Sequence, residues 1–511
     1  MSETVSSALP LILVVLPILG AVFTALLSVG RVRVPRHYLA LAILLVELVL
    51  AVRMAAVVWA GHRVTAVGEA ISVDGLSALM TVLVAFMVTL IAIQSVRYMA
   101  KEQAKGAFSE GRLNLYYSLI LLFTGTMMWT VTTNNMLMLF VAMEGSTLAT
   151  ALLVAFYRSR AALEAGYKYV LLVVVGMTFA LFGMVLIFAA TVQFRPEGIH
   201  ALRLTEMGMV AQRIPKNIAL IAMAFMTAGF ATKAGLVPFH AWLPDAHSEA
   251  PTPVSALLSG LIIKLGAYAL SRTVTVFAPH YHAVIVFIAI LSSVSMLVGI
   301  FMALVQDDLK RMLAFSSVSQ ISYVFEGLGL GTYVGIYGGL FHVVNHTIVK
   351  ALLFMSVGAV MYATGGVRRI SRLGGLAKRM PVTAFCFFVG ALSLGGLPPF
   401  NGFVSKFTIF LAVGEERLYW AMAISVVTGL LTLACLVWAA YRVFWRRPQN
   451  DLEGAPEQEG LREVPLSMRF SIVVLALLCI LIGVYPHVLH PALDSATRAV
   501  LAIWGRGITA P

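Results

Sequence analysis

A chain of 511 residues that is 60% hydrophobic and only 12% charged, with a mean hydropathy of +0.93, is not an ordinary soluble protein; soluble domains carry about 25% charge. Its net charge of +13 reads as membrane orientation and not as a nucleic-acid surface, because Lys and Arg gather in loops between apolar runs. Cys386, Cys435 and Cys479 stand far apart without CxxC spacing, so no disulfide framework, metal site or iron–sulfur cluster is expected, and all three read as core residues.

Residues 1–10 hold Glu3 and no Lys or Arg, so the basic region of a cleaved signal is missing and the first apolar run is expected to remain. About fourteen spans are expected, near 9–29, 37–60, 73–96, 113–131, 134–156, 166–191, 216–243, 252–276, 282–305, 310–328, 332–363, 380–413, 418–445 and 468–490. Most approach or exceed the roughly 20 residues that cross a bilayer. Arg31, Arg33 and Arg36 follow the first span. Further basic loops hold Arg97, Lys101, Lys105 and Arg112; Arg158 and Arg160; Lys310 and Arg311; Arg368, Arg369, Arg372, Lys378 and Arg379; and Arg442, Arg446 and Arg447. These loops are expected on the cytoplasmic side, which places both termini outside. The loop before Lys216 departs from the pattern, with Arg195, Arg203 and Arg213 against Glu197 and Glu206. Residues 446–465, rich in Pro, Gln, Glu and Gly, read as a solvated loop. No stretch is long enough for a soluble catalytic module.

Charged residues inside the spans carry the functional signal. Glu144 lies midway along the fifth span, where a charge costs at least about 2.5–3.5 kcal/mol. Glu164 and Lys168 form an i, i+4 pair near the inner end of the sixth; Lys168 reads either as half of that ion pair or as a neighbour of Glu144 and Lys233. Residues 235–264 break the apolar pattern with Pro238, Pro244, Pro251, Pro253, His240, His247, Asp245 and Glu249, between Lys233 and Lys264. Broken backbone and buried charge at membrane depth require surrounding protein or a hydrated cavity. Asp245, His247 and Glu249 are read as the mouth of a channel or as caps of the next helix. Ser316, Ser317, Ser319, Gln320 and Asn345 are candidates to hold water, or simply to bond their own helices. His342, His346 and Lys350 repeat at four-residue spacing and share one helix face. No carboxylate or cysteine completes a metal set around the two histidines, so a hydrated proton path is the preferred reading over metal or simple helix contact. Lys406 is a further intramembrane base. Glu47, with Arg53 nearby, is a mid-span acid without an assigned role. No nucleotide-binding glycine pattern, Walker motif or nucleophile elbow is present, and no redox cofactor is expected.

GLVPF at 235–239 recurs as GLPPF at 396–400, each within a long apolar run and each near a lysine, Lys233 or Lys406. Paired, proline-interrupted spans point to a transport site. These are the seventh and twelfth spans, and a separation of five gives the two copies opposite topology. The expected fold is therefore an all-α integral membrane protein with two inverted five-helix repeats and broken seventh and twelfth helices. Its parts are residues 1–110 (spans one to three), 111–278 (first repeat), 279–446 (second repeat) and 447–511 (polar loop and last span).

The segments FATKAGLVPFHAWLPDAHSEAPTPVSALLSG, DLKRMLAFSSVSQ, HTIVKALLF and GLPPFNGFVSKF resemble the antiporter-like membrane subunits of complex I, Mrp-type cation/proton antiporters and energy-converting hydrogenases. The resemblance covers roughly residues 70–445. SVDGLSALM, TTNNMLMLFVAMEGSTLATALLVAFY and EAGYKY look most like component F of hydrogenase-4 and its formate-hydrogenlyase relatives. It implies that Glu144, Lys233 and Lys264 take the fifth-, seventh- and eighth-helix positions of that family. His342, His346 and Lys350 match its eleventh-helix relay and Lys406 its terminal twelfth-helix group, where some members carry Glu. Because the sequence ends about twenty residues after its last span, the long lateral helix of complex I's distal subunit is not expected.

The expected function is proton translocation within a multisubunit membrane redox complex of the bacterial cytoplasmic membrane, without a redox site of its own. The carriers would be Glu144, Lys168, Lys233, His240, Lys264, His342, His346, Lys350 and Lys406. Expected partners are other membrane subunits and, through them, soluble redox subunits, with lipid around them and no nucleic acid. The alternatives are an Mrp-type sodium/proton antiporter subunit, a complex I subunit, a membrane partner in inorganic-carbon uptake and a scaffold that does not pump.

Overall fold

The computed structural model describes residues 3–29, 36–194, 202–205, 211–447 and 460–503. Arg31, Arg33, Arg195, Glu197 and Glu206, and residues 448–459 of the polar loop, lie outside the described residues. Apolar runs in lipid must pair their backbone internally, and nearly all of them do so as helix. The order is α1 (Leu9–Val29), α2 (Arg36–Trp59), α3 (Gly75–Ala104), α4 (Glu110–Thr132), α5 (Met136–Val154), α6 (Arg160–Val192), α7 (Lys216–Ala234), α8 (Trp242–Glu249), α9 (Thr252–Leu257) and α10 (Ile263–Arg272). The second half adds α11 (His282–Leu304), α12 (Leu309–Gly329), α13 (Tyr333–Ala363), α14 (Pro381–Gly395), α15 (Asn401–Glu415), α16 (Tyr419–Ala440), α17 (Leu466–Val484) and α18 (His490–Ala502). Twelve segments are long and apolar enough to cross a membrane among the described residues, against the fourteen expected. The two that fall short are helices of another character: α12 carries Lys310, Arg311 and Glu326, and the 380–413 run is split into α14 and α15.

The chain also contains a small sheet that the apolar pattern does not announce. Strand β1 (Glu3–Ser6) pairs in parallel with β2 (His62–Ala66), which pairs antiparallel with β3 (Ile71–Val73). Residues of β3 and the α4–α5 turn bridge at Ile71 and Thr133, and Asn135 bridges to Arg203. Helix α18 docks at the same end: a Cβ on Gly75 would lie 2.3 Å from the Ser495 carbonyl, so only glycine admits that approach. Here Arg272 grips Asp74 at 2.5 and 2.7 Å and also donates to Ser77. Burial pushes the Asp74 carboxyl up, but the Arg272 guanidinium outweighs it and holds it at about 2. The opposite end carries the charged loops, where Arg368 meets Asp308 at 2.7 Å and Glu249 at 3.6 Å. The two ends are called the sheet end and the charged end below.

Helix starts follow local chemistry. Asn135, Ser159, Asp308 and Thr332 each accept a hydrogen bond from a first-turn N–H. Helix α13 lies at the centre, touching α3, α9, α12, α14, α15, α17 and α18. The cysteines are buried and free, as expected.

Candidate functional site

Two matched breaks open the bundle at mid-depth. Helix α7 ends at Gly235 and α14 at Gly396, both in the left-handed region at φ +77 and +84. In each, the next residue reaches back five positions, Leu236 to the Ala231 carbonyl and Leu397 to the Leu392 carbonyl; this satisfies carbonyls that a broken helix would leave bare. A cis peptide follows in each, at Val237–Pro238 and Pro398–Pro399. Trp242 Nε1 donates to the Thr232 carbonyl at 2.9 Å, and Lys310 Nζ donates to the carbonyls of Ser248 and Ala250 at the end of α8. A third irregularity is a π turn at Leu258–Ile262, between α9 and α10. It makes two carbonyls available, one to Lys264 (Ser259) and one to Thr347 Oγ1 (Gly260, 2.8 Å). Such turns recur at functional sites.

Lysines sit at each irregularity, wholly buried. Lys233 Nζ donates to the Met143 carbonyl (3.0 Å), Ser146 Oγ (3.2 Å) and Thr147 Oγ1 (2.6 Å) of α5. Lys350 Nζ donates to the Leu313 carbonyl (2.8 Å) and Ser316 Oγ (2.6 Å) of α12. Lys406 Nζ donates to the Leu394 carbonyl at 2.7 Å and lies 4.9 Å above the Tyr323 ring. All of these acceptors are neutral. Glu144 is only half-buried, within electrostatic reach of Lys233 but forming no ion pair with it, and its Oε1 has no hydrogen-bond partner.

The histidines join the lysines. His342 and His346 stack in parallel with centroids 5.9 Å apart. His342 Nδ1 meets Ser405 Oγ at 2.9 Å, while its Nε2 and both nitrogens of His346 have no hydrogen-bond partner. His346 lies within electrostatic reach of Lys264, Lys350 and Lys406. Asn345 and Asn401 exchange hydrogen bonds across α13 and α15, and Ser259 pairs with Ser317 at 2.8 Å. Bringing an ion from water into protein costs several kcal/mol each even after relaxation. The hydrogen-bond acceptors of Lys233, Lys350 and Lys406 are all neutral, so a charge on any of these amines is met by dipoles and not by a hydrogen-bonded anion.

Two candidates lie elsewhere. Lys168 does not join Glu144 and Lys233; its amine reaches Glu164 at 2.7 Å and Asp245 at 3.4 Å at the charged end. Arg311 holds the other Asp245 oxygen at 3.1 Å. Glu164, Lys168 and Asp245, with Ala161, Ala165 and Glu249, line a cavity of about 180 Å3. His240 is half-exposed in the first break, its ring 6.4 Å from Phe315, and it touches none of the lysines by hydrogen bond. Glu47 is fully buried with neither oxygen hydrogen-bonded, while Arg53 is exposed. Among the described residues no cluster of three or more His, Cys, Asp or Glu side chains could hold a metal ion. Three features are missing from the sequence reading: the hydroxyls of Ser146 and Thr147, the Ser405 partner of His342, and Glu326, buried on α12 with Oε1 free. The last is a lone acid inside an apolar span, the same signal that marks Glu144.

The family model for the NADH:quinone oxidoreductase/Mrp antiporter transmembrane region matches residues 133–432, which hold both breaks and every lysine of the row. The chain belongs to this family. A second model, for the N-terminus of NADH-ubiquinone oxidoreductase chain 5, matches residues 64–109. Among relatives, the chain is 31% identical to a hydrogenase-4 component F homolog of Methylacidiphilum infernorum, over 75% of this chain and 81% of that one. It is 34% identical to NADH-quinone oxidoreductase subunit N of Desulforudis audaxviator, over 74% and 77%. Its fold is similar to a chain of the Mrp complex from Dietzia sp. DQ12-45-1b, with a TM-score of 0.83, 25% identity and coverage of 98% and 99%. The protein is thus an antiporter-like membrane subunit of the complex I, Mrp and hydrogenase type.

Proposed function

We propose that this antiporter-like subunit translocates protons within a membrane redox complex of the hydrogenase-4 or formate-hydrogenlyase type. The observation that carries the reading is the row of buried bases on neutral acceptors, Lys233, Lys264, His346 with His342, Lys350 and Lys406. Likeness to a hydrogenase-4 component F homolog supports the choice of complex. Partners in such a complex are further membrane subunits, and through them soluble redox subunits. The basic loops gathered at the charged end support a cytoplasmic charged end and external termini in a bacterial inner membrane.

Protons are taken up at the Lys168–Asp245–Glu249 cavity, pass Lys233, Lys264 and the α13 face, and leave by Lys406 toward the sheet end. Glu144, half-buried on α5, sets the proton affinity of Lys233 by its distance, in response to redox events in neighbouring subunits. Moving one charge against 100 mV requires about 2.3 kcal/mol, which matches a swing of about one to two pKa units. The matched breaks support reading residues 111–278 and 279–446 as inverted repeats.

Lys233→Ala in the assembled complex is expected to abolish proton pumping into vesicles, and normal pumping would sink the mechanism. A second reading, sodium/proton exchange in an Mrp-type assembly, is favoured by the likeness to the Dietzia Mrp complex. Dependence of transport on sodium would select it.

A further inference from the structure

Helix α12 carries a polar stripe that the relay above uses only at one end. Ser316, Ser319 with Gln320, Tyr323 and Glu326 recur at three- to four-residue spacing, which places them on one face, and all are buried. Ser316 holds Lys350. Gln320 Nε2 donates to Thr432 Oγ1 at 3.1 Å. The Tyr323 ring lies under the Lys406 amine, and its hydroxyl donates to the Ser425 carbonyl at 2.5 Å. Ser425 Oγ in turn donates to Glu326 Oε2 at 2.7 Å.

Helix α16 answers with the same spacing. Thr432 faces Gln320 and Ser425 faces Glu326. Between them, a Cβ on Gly429 would stand 3.6 Å from the Tyr323 hydroxyl and 4.0 Å from the Lys406 amine. Among the described residues, four buried polar atoms along this seam have no hydrogen-bond partner: Ser319 Oγ, Gln320 Oε1, Thr428 Oγ1 and Glu326 Oε1. Glu326 lies three residues from the end of α12, on the sheet-end side of Tyr323. Accepting one bond from Ser425 would need only an amide or a carbonyl. A carboxyl buried without a cation is costly, and it adds the ability to take and release a proton.

We propose that Glu326 is the proton acceptor beyond Lys406, through which protons leave the relay toward the sheet end. The inference rests on the proton-translocating reading. In the transfer the Lys406 ammonium becomes a neutral amine and the Glu326 carboxylate becomes a neutral acid, so one positive and one negative charge are lost together. The acid then releases its proton at the sheet end and recovers its charge.

The test compares wild type, Lys406→Ala, Glu326→Gln and Glu326→Asp in vesicles holding the complete complex, with assembly measured for each. Glu326→Gln is expected to assemble and to pump at about a tenth of the wild-type rate or less, a modest loss for removing a positioned acid–base group, and Glu326→Asp to recover part of it. Normal pumping by Glu326→Gln beside a silent Lys406→Ala overturns the exit role and leaves the proposed function standing. Normal pumping by both overturns the two together. Infrared difference spectra during turnover decide the matter even if Glu326→Gln does not assemble. A carboxyl C=O band that shifts between wild type and Glu326→Asp supports the assignment, and identical spectra refute it.

Discussion

Lys233 and Lys350 rest in cradles cut to the same pattern. Each amine takes a helix carbonyl and the hydroxyl three residues on: Met143 and Ser146 of α5 in one case, Leu313 and Ser316 of α12 in the other. In both helices the residue after the hydroxyl, Thr147 or Ser317, turns its own oxygen onto that same carbonyl. The two differ at the residue after the carbonyl. Beside Lys233 it is Glu144, half-buried; beside Lys350 it is Ala314, fully buried. One cradle has an acid on its outer flank and the other has only apolar and neutral walls. A movable carboxylate can change the proton affinity of the first amine, whereas the second can respond only to the bases around it. On the proposed function, that difference gives control to the first cradle and conduction to the second.

Four substitutions test that division. The largest effect is expected from Ala314→Glu, which gives the second cradle the acid it lacks. A carboxylate fixed in that buried position would hold Lys350 as its ion pair, and pumping should fall by about a hundredfold or more, as for loss of an acid–base group; unchanged pumping would refute the conductive role of Lys350. Next, Glu144→Gln removes control but leaves the path, so an approximately tenfold loss is expected, together with a weaker dependence of pumping on redox turnover. The smallest pair concerns the hydroxyls. Ser316→Ala deletes the only hydroxyl holding Lys350 among the described residues, a hydrogen bond to a charged group worth about 1.5–3 kcal/mol. Ser146→Ala leaves the 2.6 Å bond from Lys233 to Thr147 in place and should change pumping by about twofold or less. Equal effects from the two would mean that the cradles are not organised as described.

The breaks and their lysines were legible because proline, glycine and charge are rare inside apolar runs and expensive there. The cradles were not, since Ser and Thr inside helices ordinarily bond their own backbone. Ser146 and Thr147 do that as well, and only the approach of α7 shows their second use. Lys168 was legible as the partner of Glu164, but its placement depended on Asp245, seventy-seven positions away in sequence. Glu326 stands alone between SYVF and GLG, and only the approach of α16 shows what it faces. The span count fell to twelve by length and apolarity because polar and interrupted helices survive inside a bundle without meeting lipid.

Helix α13 carries a cost that arises before the protein is finished. Its 31 residues extend about 46 Å at 1.5 Å per residue, and its apolar stretch is fully enclosed by the rest of the chain. During synthesis it emerges before α14, α15, α17 and α18, which supply much of that enclosure, and before Ser405, which receives His342. Lys350 finds its acceptors on α12, which is made earlier, but until then the side of α13 that bears His342 must face lipid or be sheltered by the insertion machinery. The newborn chain must therefore be kept at that machinery for more than a hundred further residues, counted from Ala363 to Val484.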